Sequence, residues 1–228
     1  MSVTFDFTAY KGSFQSAAVS LLSSAATPVE VAGGTHLLVA AVEHDLLCYA
    51  DRPAFDCVAC RAGCQTCCIL NVSVLFPEAV AIHRFLTKRL TDSELSSVRK
   101  RVREVNVRTR WLTDDERIEI HEPCAFLDEH GRCLVHPARP LLCRSVTSVE
   151  PDLCVEVMTA PPFSEAVTIP MNLFQKNLMD SAYVGFSSAL EQLDLDSRAW
   201  RLATAMDRLF SVPGATGEFL AGKTISWN

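Results

Sequence analysis

No stretch of this chain approaches the run of about eighteen uninterrupted apolar residues that a membrane span requires. Glu43, His44 and Asp45 break one candidate, and Asn71, Pro77 and Glu78 break another. Internal repeats and low-complexity tracts are also missing, so neither a repeat array nor a compositionally biased linker enters the reading. A surplus of positive charge is absent: 21 basic residues face 27 acidic ones for a net charge of −6, which argues against a general nucleic-acid binder. A secretory leader is not evident either. Phe14 to Ala26 has an apolar centre followed by small residues, but only Lys11 supplies positive charge before it, Asp6 opposes that charge, and serines interrupt the apolar part. That stretch reads as a helix. The chain is therefore expected to be soluble and cytoplasmic, with no membrane association and with reduced thiols.

What the sequence does have is cysteine. Ten are present, and five fall within the run Cys57-Val-Ala-Cys60-Arg-Ala-Gly-Cys64-Gln-Thr-Cys67-Cys68. Cys48 lies just upstream, while Cys124, Cys133, Cys143 and Cys154 follow at intervals of about ten residues, so two separated segments could close around a common centre. A thiolate is a soft, charged ligand for zinc, copper(I) or iron-sulfur clusters, and a spacing such as Cys64-x-x-Cys67 lets one turn present two sulfurs to one ion. The competing reading, a disulfide framework, belongs to small secreted domains that lack core. At 228 residues and 49% hydrophobic, this chain has enough apolar material to bury a core without such staples.

Periodicity predicts a mainly α fold: a helical domain with an irregular cysteine-rich, metal-pinned loop region and little β. A single domain over 1–228 would comprise N-terminal helices (1–50), a cysteine-cluster region (51–160) and C-terminal helices (161–228). Helices are expected over 12–25 and 34–50, separated by breaks at Pro28 and Gly33-Gly34. A β-prone run from Ile69 to Phe76 precedes a helix starting at Pro77. Thr91-Asp-Ser-Glu94 is a capping box that opens a helix with Leu95, Val98, Val102, Val105 and Leu112 on its apolar side. The other faces of that helix carry Arg99, Lys100, Arg101, Arg103, Arg108 and Arg110. We read this as a solvated face; the alternative is a docking surface for an acidic protein partner or RNA, although only Trp111 supplies an interleaved aromatic. From Asp114 to Pro162, prolines at 123, 137, 140, 151, 161 and 162 predict irregular loops, followed by helices over about 170–193 and 196–211.

The second cysteine segment carries a specific resemblance. Pro123-Cys124-Ala-Phe126-Leu127-Asp128, Gly131-Arg132-Cys133-Leu-Val-His136 and Arg139-Pro140-Leu-Leu-Cys143-Arg144 resemble the second half of the YkgJ-type cysteine-cluster family, the CxxCxxCC or zinc- or iron-chelating domain. Cys60-Arg-Ala-Gly-Cys64-Gln-Thr-Cys67-Cys68 with Pro77-Glu78 is similar to its opening motif, and the resemblance covers about residues 57–154. One departure is that three residues, not two, separate Cys60 from Cys64. The resemblance implies metal or iron-sulfur binding through Cys60, Cys64, Cys67, Cys68, Cys124, Cys133, Cys143 and Cys154, with Cys48 and Cys57 as extras. Eight thiols suit two four-thiolate sites or one polynuclear site. Adjacent Cys67 and Cys68 do not readily bend to one small ion, so they are expected to serve different atoms.

Either centre is anionic, so Arg61, Arg132, Arg139 and Arg144 are expected to offset its charge and donate hydrogen bonds to sulfur. We favour an iron-sulfur cluster, with four irons, in a redox, structural or metal-handling role. Zinc ribbons use two matched Cys-x-x-Cys knuckles, and the second segment has none. The alternatives are a zinc-binding structural or chelating protein and a cluster-dependent protein-modifying enzyme resembling the flagellin lysine methylases among the family's relatives. Cys60-x3-Cys64-x2-Cys67 also has the spacing of radical S-adenosylmethionine enzymes. Thr66 stands where those usually have an aromatic, however, and the barrel's strand-helix alternation is absent. No catalytic residue is assigned. His136 and His121 are candidate substitutes for a thiolate, though loop histidines are more often solvated. Glu78 is expected to interact with a helix dipole, Asp128 and Gly131 to form a turn, and Cys48 to be a buried helical thiol.

Overall fold

A computed structural model describes residues 5–49, 58–61, 63–160 and 168–226. It is 65% helical, with ten α-helices and one two-stranded sheet among the described residues, which is the mainly α fold the periodicity predicts. Helix α1 (Phe7–Leu22) starts earlier than periodicity suggests, because Asp6 caps it by accepting from the N–H groups of Thr8 and Ala9, both at 2.9 Å. Helix α2 (Pro28–Tyr49) runs straight through Gly33-Gly34, correcting the expected break. The reason is close packing: a Cβ on Gly34 would lie 3.3 Å from Leu22, so the glycine serves the α1–α2 approach and does not end a helix.

Helices α3 (Phe76–Arg89) and α4 (Asp92–Thr109) follow a two-residue strand β1 (Ser73–Val74), all that forms of the β-prone run. The capping box at Thr91 and Glu94 is present, and α4 buries Val98, Val102 and Val105 as its pattern requires. Its basic side chains divide. Arg101 donates to the carbonyl of Ala125 and Arg108 pairs with Glu122 at 2.7 Å, while Trp111 just beyond the helix is 81% exposed.

The stretch expected to be irregular holds three short helices: α5 (Asp114–Glu119), α6 (Leu141–Ser145) and α7 (Pro151–Thr159). Two of them start beside prolines, Pro140 before α6 and Pro151 within the first turn of α7, where a missing N–H costs nothing. Helix α5 has its own capping box, Thr113 with Glu116. Helix α8 (Leu173–Gln192) crosses α1 so closely that a Cβ on Gly185 would meet the carbonyl oxygen of Lys11 at 2.7 Å. Strand β2 (Trp200–Arg201) pairs antiparallel with β1, and helices α9 (Leu202–Ser211) and α10 (Ala215–Leu220) follow.

One cluster of buried side chains extends from Phe14 to Ile225 and includes Phe76, whose ring lies 6.0 Å from Trp200 and 5.3 Å from Phe219. The first cysteine segment leads directly into β1 and α3, which this core anchors. No described helix is long and apolar enough to cross a membrane.

Candidate metal centre

Local chemistry brings the two cysteine segments together. Gly63, at a φ of 88°, turns the chain between Cys60 and Cys64, and Cys64 donates its N–H to the carbonyl of Arg61 at 3.0 Å. Cys67 and Cys68 occupy a 3-10 turn, Thr66–Ile69, and helix α7 packs on that turn. The Cys124 N–H donates to the Cys68 carbonyl at 2.8 Å, a direct backbone tie between segments more than fifty residues apart. Ala59 is tied likewise to Ser148 at 2.8 Å.

The second segment folds back at Asp128. One carboxylate oxygen accepts from the N–H groups of His130 and Arg132, and the other accepts from the Arg132 guanidinium at 2.9 Å. Gly131 adopts a φ of 70°, and a Cβ there would press on Gln65 at 2.9 Å, so this turn lies against the first cysteine loop. Cys133 pairs with Leu127 across the fold-back, and Cys143 sits on α6. Glu78 braces α6 from below by accepting from the Leu141 N–H at 2.8 Å, in addition to capping its own helix at Leu75.

Seven thiols line one cavity of about 400 Å³: Cys60, Cys64, Cys67, Cys68, Cys124, Cys133 and Cys143. Apolar residues, among them Leu70, Val105, Phe126 and Val135, form most of the remaining wall. Cys154, on α7, does not line the cavity, yet its charge acts on Cys60. Cys48 is exposed near His44, which corrects its expected burial, and Cys57 lies outside the described residues. The nine described cysteines are all free thiols.

Arg61, Arg132 and Arg139 line the cavity. Arg144 does not: its donors go to the carbonyls of Arg139 and Pro137 and to the carboxylate of Glu43, so it staples the loop between Cys133 and Cys143. His136 lines the cavity, whereas His121 sits outside it at a φ of 50° with Nδ1 beside the Glu119 carbonyl. Arg117 is a site residue that the sequence reading missed. It is buried on α5, lines the cavity, and donates to the carbonyl of Ile69 at 2.9 Å. The Thr113-x-x-Glu116 capping box was the signal that could have placed it on an ordered helix.

Burial, with neighbouring thiols adding to it, pushes the Cys124 thiol up to about 11 and Cys143 up to about 12. Cys60 and Cys133 shift upward for the same first reason. Cys67 moves the other way: the Cys68 thiol donates to it and stabilises its thiolate, while Cys68 holds its own proton more tightly. Arg139 favours the thiolates of Cys67, Cys133 and Cys143, and Arg117 favours that of Cys124.

Among the described residues, no three His, Cys, Asp or Glu side chains converge at the spacing that would hold one ion. The donor set nevertheless fits a soft metal. Sulfurs from two segments face a common, largely apolar cavity with arginines at its wall, and burial first, with the neighbouring thiols adding to it, favours the protonated form of Cys124 and Cys143.

Fold and cavity together define a helical protein with a cysteine-lined pocket. Residues 59–163, a little under half the chain, match the CxxCxxCC family model, described as a "Putative zinc- or iron-chelating domain". The match begins after Cys48 and Cys57 and contains the eight other thiols, so the family resemblance read from the sequence stands. Neither a curated protein nor a solved structure matches the chain.

Proposed function

We propose that the cavity holds an iron-sulfur cluster, with four irons favoured, bound by thiolates drawn from Cys60, Cys64, Cys67, Cys68, Cys124, Cys133, Cys143 and Cys154. The observation that carries this reading is that seven of these thiols share one cavity. Two matched zinc knuckles would divide the sulfurs between separate sites, whereas a polynuclear centre uses thiols from both segments around one volume. When bound, such a cluster supplies one-electron redox chemistry or a structural brace.

The chain's own residues support it in three ways. Arg139 and Arg117 place positive charge beside the thiols, which offsets the anionic charge of a thiolate-ligated centre. Most of the cavity wall is apolar, and the backbone tie from Cys124 to Cys68 holds the two segments in reach of each other.

Anaerobic purification followed by absorption spectroscopy, with iron, sulfide and zinc assays, tests the proposal. Brown protein with matched iron and acid-labile sulfide is the expected result. Colourless protein with stoichiometric zinc and no iron would overturn it and leave the zinc-chelating reading.

A further inference from the structure

A second cavity, of about 440 Å³, opens between α2, α3 and the segment 137–140. Four cationic side chains line it: Arg84, Lys88 and Arg89 from α3, and Arg139 from the loop before α6. His36 adds a fifth titratable group. Glu78 is the one carboxylate among the described lining residues, and its two oxygens already accept from the N–H groups of Leu141 and Leu75.

The Nε atoms of Arg84 and Arg139 are buried without a hydrogen-bond partner. A buried guanidinium donor left unpaired costs free energy, and native structures rarely tolerate two in one place without a reason. Apolar side chains line the rest of the cavity. Val29, Ala32, Val39 and Ala81 contribute to it, and Phe85 presents a ring already covered on one side by the Arg89 guanidinium, 4.4 Å from its centroid.

We propose that this cavity binds an organic anion, in which a phosphate or carboxylate group meets Arg84 and Arg139 and an apolar body lies along the Phe85 wall. Planar guanidinium groups match both anions through paired N–H donors, and the apolar wall supplies the area that a bare inorganic ion cannot use. The proposal does not depend on which metal the thiols hold. Arg139 lines both cavities, however, so the two sites share a charged wall.

Isothermal titration of the full-length, as-purified protein tests this with phenyl phosphate and 3-phenylpropionate as separate probes, which distinguishes a phosphate from a carboxylate ligand. Saturable 1:1 binding of at least one probe is expected. Arg84→Gln is expected to weaken it about tenfold or more, because it removes a charge-assisted donor pair. Arg139 is left intact because it also borders the thiols. Lys88→Gln, at an exposed position, provides a second variant that does not disturb packing, with an expected loss of about threefold. Metal content and denaturation midpoint should stay at wild-type values in Lys88→Gln. Inorganic phosphate is expected to bind at least about tenfold more weakly than phenyl phosphate, since it lacks the apolar body. Failure of both probes to bind wild type, unchanged affinity in both variants, or inorganic phosphate equal to phenyl phosphate would each overturn the assignment.

Discussion

Replacing Glu78 with glutamine removes a charge from a site that is 2% exposed while keeping the shape of the side chain. In the folded protein, burial raises this carboxyl from 4.5 to about 7, against the opposing pull of the N–H groups of Leu141 and Leu75 and of Arg144. A folded value above the unfolded one means that the folded state binds the proton more tightly. The resulting stabilisation is complete below pH 4.5 and is lost as pH rises through about 7. The shift corresponds to about 3 kcal/mol across that window. The glutamine variant lacks this titration. Relative to the protonated carboxyl, whose hydroxyl oxygen can still accept while its proton turns away, it carries a pH-independent penalty of about 1–3 kcal/mol, because its NH2 group cannot accept from the second buried N–H donor. Urea denaturation followed by circular dichroism at several pH values should therefore show the wild type ahead in acid and its advantage shrinking by about 3 kcal/mol between pH 4.5 and 8. Parallel stability curves for the two proteins would refute the reasoning, since they would mean that Glu78 is not held in a desolvated site.

Cys64→Ser and Cys143→Ser are expected to lose bound metal, and Cys143→Ser to lower soluble yield as well, because metal binding is folding free energy in loops of this kind. Elemental analysis reads both, and normal metal content would remove them from the ligand set. Gly131→Ala should destabilise the protein by about 1–2 kcal/mol, through a left-handed backbone that an L side chain resists, and an unchanged melting temperature would contradict that. Gly185→Ala places a methyl against the Lys11 carbonyl and should cost about 1–3 kcal/mol by forcing α1 and α8 apart, measurable by thermal unfolding. Apparent metal affinity, read by chelator competition, should rise more than about tenfold from pH 6 to 8, because Cys124 and Cys143 hold their protons tightly and must release them to bind. A flat profile would mean that neither thiol ionises on binding.

Much of the helical content was legible because it rests on local signals. The capping box at Thr91 and the apolar stripe Val98, Val102, Val105 predict α4 almost residue by residue. The same signals were overlooked where prolines dominate. Pro140 and Pro151 stand at helix starts, where proline is compatible with a helix, and so they mark α6 and α7 where loops were expected. Gly33-Gly34 misled in the opposite direction. A glycine pair inside a helix looks like a break until a neighbouring helix is found to need the space, and that neighbour, α1, is a tertiary fact.

The sequence by itself determined which donor atoms are available to a centre and how they are spaced. Thiol type and spacing are local properties, and two cysteine segments in order are enough to carry the resemblance to a chelating family that the match over residues 59–163 supports. Tertiary structure decided which groups share a volume. It put seven thiols into one cavity, set Cys154 to its side, left Cys48 exposed, used the donors of Arg144 to staple a loop while its charge still favours the Cys133 thiolate, and brought in Arg117. It also created a second, cation-lined cavity that no motif marks. The physical reason is that burial and charge neighbourhood are sums over residues distant in the chain, and spacing along the sequence carries no term for them.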